Sequence, residues 1–324
     1  MASFLSRGGS QKKGKGKSKA RNCAGIALHG DSARYVELSG TVGALQVVKQ
    51  QVAPIARGAI VKDSLVDLEG VVSALEALKS AVGGFRCPVA LGIPSRDVIL
   101  RLIEYPKMSV EEVGEALQFE FDKYFPYPYQ EAAADIAEVE VPSHDAVDKT
   151  IVLVATSKQR VVHDMMRMAS KAGISLSAVE PLNVAFFRAA IGPFGRQGGY
   201  FVVFVEPETT QIVLGYKDNG ILFRSAAVDL TSREVRESDE GILPILRDVQ
   251  NTIIFAGNQY KELTPDVLIL GGIVGKESRL AALLESGASV SVEFLDVWER
   301  WKTSPASRDT GFEAAFGLAV RELL

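Results

Sequence analysis

The stretch GIALHGDSARYVEL, residues 25–38, runs apolar, breaks at Gly30-Asp31 and resumes with aromatic and β-branched residues. With its neighbours it reads as two strands, 24–29 (AGIALH) and 33–39 (ARYVELS), whose joining residues suit a hairpin. A third strand is expected at 44–52 (ALQVVKQQV), beyond a turn at Ser39-Gly40. Ser64, with Asp67 three residues later, opens a helical run in which Leu68, Val71, Leu75, Leu78 and Val82 share one face. This run leads into a strand from Pro88 to Ile93. The same order returns about 176 residues on: strands near 200–205, 210–216 and 221–228, a helical stretch to about 261, and a strand at Val267–Leu270. That repeat is too long for a solenoid period and predicts two similar α/β domains facing each other. The cleft between them is the default site.

Between the two units, Ser109-x-x-Glu112 forms a capping box for a helix that carries Val113, Leu117, Phe121 and Tyr124 on one face and is stopped by Pro126 and Pro128. A strand at Ile151–Ala155 and a helix from about Lys158, with Val161, Met165, Met168 and Ala172 inward, complete what reads as an inserted α+β subdomain. Gly195 and Gly198-Gly199, beside Arg196, read as the linker between the halves.

The chain has 324 residues, 47% apolar and 23% charged, which is the composition of an ordinary globular protein and excludes bulk disorder, collagen and coiled coil. Its longest uncharged apolar stretches, Gln197–Val205 and Val267–Gly275, are about half the roughly 18 residues a membrane span needs. Cys23 and Cys87 offer neither a disulfide framework nor a zinc cluster, and a reducing, cytoplasmic location is expected. The net charge of −4 conceals an asymmetry: residues 1–22 hold seven basic residues and no acid, which leaves the body at −11. An acidic body argues against nucleic acid as a partner. The Gly-, Ser- and Lys-rich tail is expected to be disordered and lacks the apolar core of a signal peptide. It is either a solvated tail or a peripheral contact with an anionic membrane, into which Phe4 and Leu5 would dip.

With this order in place, GIALHGDSARYVEL (25–38), LQFEFDKYFPYP (117–128), LILGG (268–272) and FEAAFGLAVREL (312–323) resemble, in sequence order, the type IV pilus assembly protein PilM family, which is related to the cell-division protein FtsA. The resemblance implies an actin-like, ribonuclease H-like duplicated two-domain α/β fold with a small inserted α+β subdomain. On this reading the chain divides into a tail (1–22), the first half of domain I (23–94), the inserted subdomain (95–175), a return to domain I with the linker (176–199), and domain II with a closing C-terminal helix (200–324).

An actin-like site brings glycine amides of two hairpins to nucleotide phosphates and uses acids to hold the water shell of Mg²⁺. Here the sequence departs from the pattern that the resemblance implies. Ala27 and Phe204 stand where the family has aspartates, and His29 and Glu206 where it has glycines. An apolar side chain cannot order a metal shell, and a carboxylate at the phosphate edge repels its ligand. Asp31, Ser32, Thr209, Thr210, Gly271 and Gly272 remain as candidates for ATP, with Mg, although a diglycine after a strand also reads as a plain turn. Asp31, Glu180 and Asp229 are the acids that would have to replace the missing aspartates in an active ATPase or small-molecule kinase. His29, His144 and His163 have no metal-ligand spacing, and neither G-x-S-x-G nor G-x-x-x-x-G-K-[ST] occurs. Nothing in these motifs requires an enzyme.

Six of the 25 aromatic residues fall within positions 119–129. They are either subdomain core or, around the rigid prolines, a surface for peptide capture. In the family that this chain resembles, a groove between the first domain and the inserted subdomain holds the cytoplasmic tail of the membrane protein PilN, and Phe121, Tyr124, Phe125, Tyr127 and Tyr129 are the corresponding candidates. Trp298 and Trp301 are expected to cover a neighbouring domain, and the closing helix (Phe312, Ala315, Phe316, Ala319, Leu323), read as amphipathic, to pack back onto it. The function expected is a cytoplasmic scaffold at the inner face of the plasma membrane.

Overall fold

The computed structural model describes residues 22–142, 148–193, 195–261, 263, 265–274, 278–287, 290–305, 307 and 311–324. Residues 1–21 of the basic tail, and His144, lie outside the described residues. The chain begins β1 (Cys23–Leu28), β2 (Ser32–Thr41), β3 (Ala44–Pro54), α1 (Leu68–Ala81) and β4 (Val89–Ile93). It continues β5 (Ile99–Pro106), α2 (Val110–Tyr124), β6 (Ala132–Glu138), β7 (Lys149–Lys158), α3 (Gln159–Lys171), β8 (Leu176–Pro181) and α4 (Leu182–Ile191). Then follow β9 (Gly199–Val205), β10 (Thr209–Tyr216), β11 (Asn219–Ala227), α5 (Arg233–Glu237), α6 (Asp239–Gln259) and β12 (Val267–Gly272). The last elements are α7 (Arg279–Gly287), β13 (Ser291–Phe294), α8 (Val297–Arg300) and α9 (Glu313–Val320).

Two five-stranded sheets have the same plan: β3-β2-β1-β4-β8 and β11-β10-β9-β12-β13. In each, the first three strands form an antiparallel meander and the last two run parallel to the innermost meander strand. The parallel partners need crossovers, supplied by helices, whereas the meanders need only tight turns. The second turn of the first meander falls at Val42-Gly43 rather than Ser39-Gly40, because the strands run on to Thr41 and resume at Ala44, and Gly43 takes the positive φ of +90°. Asp67, not Ser64, caps α1 by accepting the Glu69 N–H at 3.1 Å. Ser64 instead donates to Asp97, in the turn that follows β4, at 2.6 Å.

Strand β1 is buried on both faces. Ala24, Ile26 and Leu28 join α1 and α3 in one core, while Ala27 faces a second core built on α4 and α9. Gly25 lets α9 reach the strand, since a Cβ there would lie 2.1 Å from the Ala315 carbonyl oxygen. The whole of α9 is buried, and apart from Glu313 at its start it is apolar all round rather than amphipathic, the pattern of a central helix. Trp298 meets Phe316 edge-on at 5.5 Å, and Trp301 donates its indole N–H to the Ala189 carbonyl at 2.9 Å.

The third sheet, β5-β7-β6, is antiparallel and covered by α2. Its capping box is complete, with Ser109 and Glu112 each accepting the other's backbone N–H. The inward face of α3 carries Val162, Met165, Met168 and Ala169, with Val161 half-buried and Ala172 buried against the same core, that of the first sheet. Among the described residues no helix is long and apolar enough to cross a membrane.

Candidate functional site

The turn after β1 and the turn after β9 close in the same way. The His29 N–H donates to the Ser32 carbonyl at 2.9 Å, and the Glu206 N–H to the Thr209 carbonyl at 2.8 Å. Both turns project into one cavity of about 520 Å³ between the two five-stranded sheets. Across it, the His29 imidazole Nδ1 bonds a carboxylate oxygen of Glu206, and both residues are buried. The other Glu206 oxygen accepts the Thr209 hydroxyl at 3.1 Å. Pro207, in the second turn, has no N–H to offer a ligand.

Below the turns the filling is apolar. Phe204 stacks on Phe186 at 3.7 Å between ring centroids, in a cluster that also contains Ala27. The positions where the sequence departs from the family's aspartates therefore sit within packed hydrocarbon. Charge gathers at the mouth: Asp31, Asp63, Glu206 and Glu208 line the cavity with Arg57 and Arg236. Asp63 is buried, and accepts the Ser95 N–H at 2.9 Å and the Gln211 side-chain amide at 3.3 Å. Burial first, and then the Glu206 carboxylate, raise its pKa well above the ordinary carboxylate range. A triphosphate carrying a metal would meet four carboxyl groups against two arginines, and a proline in place of a donating N–H, above a packed phenyl stack that holds no metal-ordering acid. The residues present do not fit it, and among the described residues no group of three or more His, Cys, Asp or Glu could hold a metal ion.

Of the residues expected at a nucleotide, Asp31 and Thr209 line the cavity. Ser32 is buried behind Asp31 and donates to its carboxylate at 2.7 Å, and Thr210 is fully buried in β10. Gly271 and Gly272 lie one strand away, in register with Phe204 and Val205. Gly272, at φ +95°, is required by backbone approach, since a Cβ would meet the Val205 carbonyl oxygen at 2.0 Å. Glu180 is not at the cleft. It is wholly buried, with Arg188 on one oxygen at 2.5 Å and Arg321 on the other at 2.8 Å. Asp229 is solvent-exposed and held below the usual carboxylate range by hydrogen bonds from Thr231. Asp63, Arg57, Glu208 and Arg236 carry no local motif that sequence reasoning could have used.

In the aromatic segment, Phe121 and Phe125 are buried in the small-sheet core with ring centroids 4.5 Å apart, and Tyr124, Tyr127 and Tyr129 pack half-buried against them. The Tyr127 hydroxyl bonds Thr156 at 3.3 Å. At the other end of the sheet a second cavity, about 430 Å³, lies between Ile136, Val139 and Leu153 of the small-sheet region and Val184, Phe187 and Ile191 of α4. Arg188 and Asp218 place charges on its wall.

The model of the family described as type IV pilus assembly protein PilM matches residues 25–190, just over half of the chain. Among solved structures, the PilM–PilN type IV pilus biogenesis complex matches at a TM-score of 0.77 and 22% identity, over 93% of this chain and 98% of that one. The cytoplasmic domain of EpsL, an inner-membrane component of the type II secretion system of Vibrio cholerae, matches at 0.51 and 11% identity, over 93% and 94%. The ethanolamine utilization protein EutJ of Carboxydothermus hydrogenoformans matches at 0.52 and 12% identity, over 94% and 91%. The fold is the actin-like one in its duplicated form.

Proposed function

The chain belongs to the type IV pilus assembly protein PilM family, and from that premise we propose that it is a non-catalytic cytoplasmic scaffold of a type IV pilus, or type II secretion-like, inner-membrane assembly platform. In this role it holds the cytoplasmic tail of a PilN-like membrane protein. The observation that carries the reading is the His29–Glu206 bond, which joins the two turns directly at the place where phosphates would have to lie. A scaffold of this kind needs a concave, largely apolar groove for a short segment. The cavity between the small sheet and α4 has that character. Tyr127 and Tyr129 lie toward the Lys158 end of β7, away from the Val139 end where this cavity opens, and offer the alternative docking surface.

Titration calorimetry with a synthetic PilN-like cytoplasmic tail tests the reading. Val184→Glu should weaken binding at least about tenfold, the effect of a charge in an apolar pocket, while Tyr127→Ala with Tyr129→Ala leaves it intact. The opposite pattern moves the tail to the aromatic segment, and no binding by the wild-type chain overturns the scaffold. The basic residues 1–22 would add salt-sensitive affinity for anionic lipid at the inner face of the plasma membrane. Equal pelleting of full-length and tail-deleted protein on anionic vesicles at low salt would remove that role.

A further inference from the structure

Among the described residues, polar contacts cross the cleft at three places. His29 bonds Glu206, the Lys62 backbone N–H donates to Glu208 Oε2 at 2.8 Å, and Gln211 donates to Asp63 at 3.3 Å. In each, one residue follows a strand of the first sheet and the other belongs to the β9–β10 turn or to β10 of the second. Glu208 also covers the first turn, because a Cβ on Gly30 would stand 3.5 Å from its carboxylate. Lys62 and Asp63 both adopt left-handed backbone, at φ +48° and +59°, a conformation that side chains resist and surrounding contacts must hold. Beneath them Phe204, from the second sheet, stacks on Phe186 of α4, which packs with the first.

We propose that the cleft is bridged by the chain itself: Glu206, Glu208 and Gln211 link the second sheet to the segments that follow β1 and β3 and fix both five-stranded sheets in one orientation. Contacts that join the two turns restrain the lobes against each other whatever enters the cavity, so a cleft bridged by its own side chains holds one shape at any nucleotide concentration. The tail-binding groove, formed by the small sheet, α4 and Asp218, Asn219 and Gly220 at the β10–β11 turn of the second sheet, would then be presented constitutively. This inference rests on the non-catalytic reading of the cleft, but it concerns lobe geometry and not the capture of a partner.

Spin labels on the exposed positions of α1 and α6, introduced as Glu76→Cys and Asn258→Cys, report the distance between the two lobes, while the native Cys23 and Cys87 are buried. The wild-type background should give one narrow distance distribution, unchanged by millimolar Mg·ATP. His29→Ala, Glu206→Ala and Glu208→Ala combined should broaden it toward longer distances. An unchanged distribution in the triple variant, or a shift of the wild-type background with Mg·ATP, overturns the proposal. Should the triple variant fail to fold, Glu208→Ala alone removes a rim contact, and exchange of the Lys62 amide should then quicken about tenfold, as expected for loss of a hydrogen bond to a charged group. Unchanged exchange also overturns it. Tail-peptide titration on the same wild-type sample separates the two ideas: failure to bind peptide removes the scaffold and leaves the distance result standing.

Discussion

His29 and Glu206 occupy equivalent positions in the two repeated sheets, each opening the turn after the innermost meander strand, and their side chains meet across the cleft. A duplicated fold brings such equivalent turns face to face. Here it has paired a basic group with an acid where two small residues would leave room. Removing one member leaves the other's buried polar group without its hydrogen-bond partner, at a cost of about 1–3 kcal/mol. His29→Ala and Glu206→Ala should each destabilise the protein by an amount of that order. The double variant should fall short of the sum by about 0.5–3 kcal/mol, as contacting residues do. Urea unfolding of the four proteins measures this, and strict additivity would mean that the pair is not energetically coupled.

The ATPase reading makes an equally direct demand. A ligand present at 100 times its Kd raises stability by about 2.7 kcal/mol. The wild-type protein in millimolar Mg·ATP should show no rise in Tm. A reproducible rise would return nucleotide to this cleft.

Much of this architecture was legible in the sequence. Both meander–helix–strand units could be read because each strand is a short apolar run punctuated by turn residues. Strands β5 and β6 were not, since Arg101 and Glu104 on one, and a run of alanines on the other, blur the pattern of half-buried strands. The site was legible only in its parts. His29 and Glu206 stand out singly as departures at two turns, but nothing local says that residues 177 positions apart are bonded. Asp63 was invisible for a different reason. Its role depends on left-handed backbone and on Ser95 and Gln211, which only the folded chain brings near. Glu180 reads in the sequence only as an acid that could replace a missing aspartate, because the arginines that neutralise it come from α4 and the residue following α9.

That buried triad has its own consequence. With Glu180 fully buried between Arg188 and Arg321, Arg321→Ala should cost about 3–5 kcal/mol by leaving the carboxylate undercompensated. Glu180→Ala should be similarly damaging, as it leaves two guanidinium groups facing each other. Chemical denaturation checks both. Stability within about 0.5 kcal/mol of wild type, the range for ordinary surface substitutions, would mean that the triad is not structural.

Glu313, at the start of the buried helix α9, has its pKa raised from 4.5 to about 7, chiefly by burial and against the pull of Arg34 and His29. The raised value means that the folded state holds its proton while the unfolded chain has already released it. Its contribution to stability is therefore fully present below about pH 4.5 and is lost as pH rises through about 7. The full loss is roughly 3 kcal/mol, at 1.36 kcal/mol for each pH unit between the two values. Glu313→Gln should match the wild type near pH 4.5 and exceed it by about that amount above pH 8. Parallel stability curves for the two proteins across this range would show that the carboxyl is not the titrating group.

Phe204 offers the sharpest test of the cleft, because the family's acid can be put back there. Truncation of a buried phenylalanine costs about 3–5 kcal/mol from lost packing alone. Phe204→Asp adds a carboxylate against the Phe186 ring, in the same apolar cluster as Ala27 and Leu182. It should therefore be less stable than Phe204→Ala at neutral pH. The difference should shrink as pH falls, because a desolvated carboxyl protonates more readily. Nor should the restored acid bring back Mg·ATP binding, since Glu206 still bridges to His29, Pro207 still lacks its N–H, and Glu208 still covers Gly30. Thermal melts of both variants with and without Mg·ATP decide the matter. If Phe204→Asp folds as stably as wild type and gains several degrees with Mg·ATP, position 204 is the metal-facing position of a working site, and the non-catalytic reading falls with it.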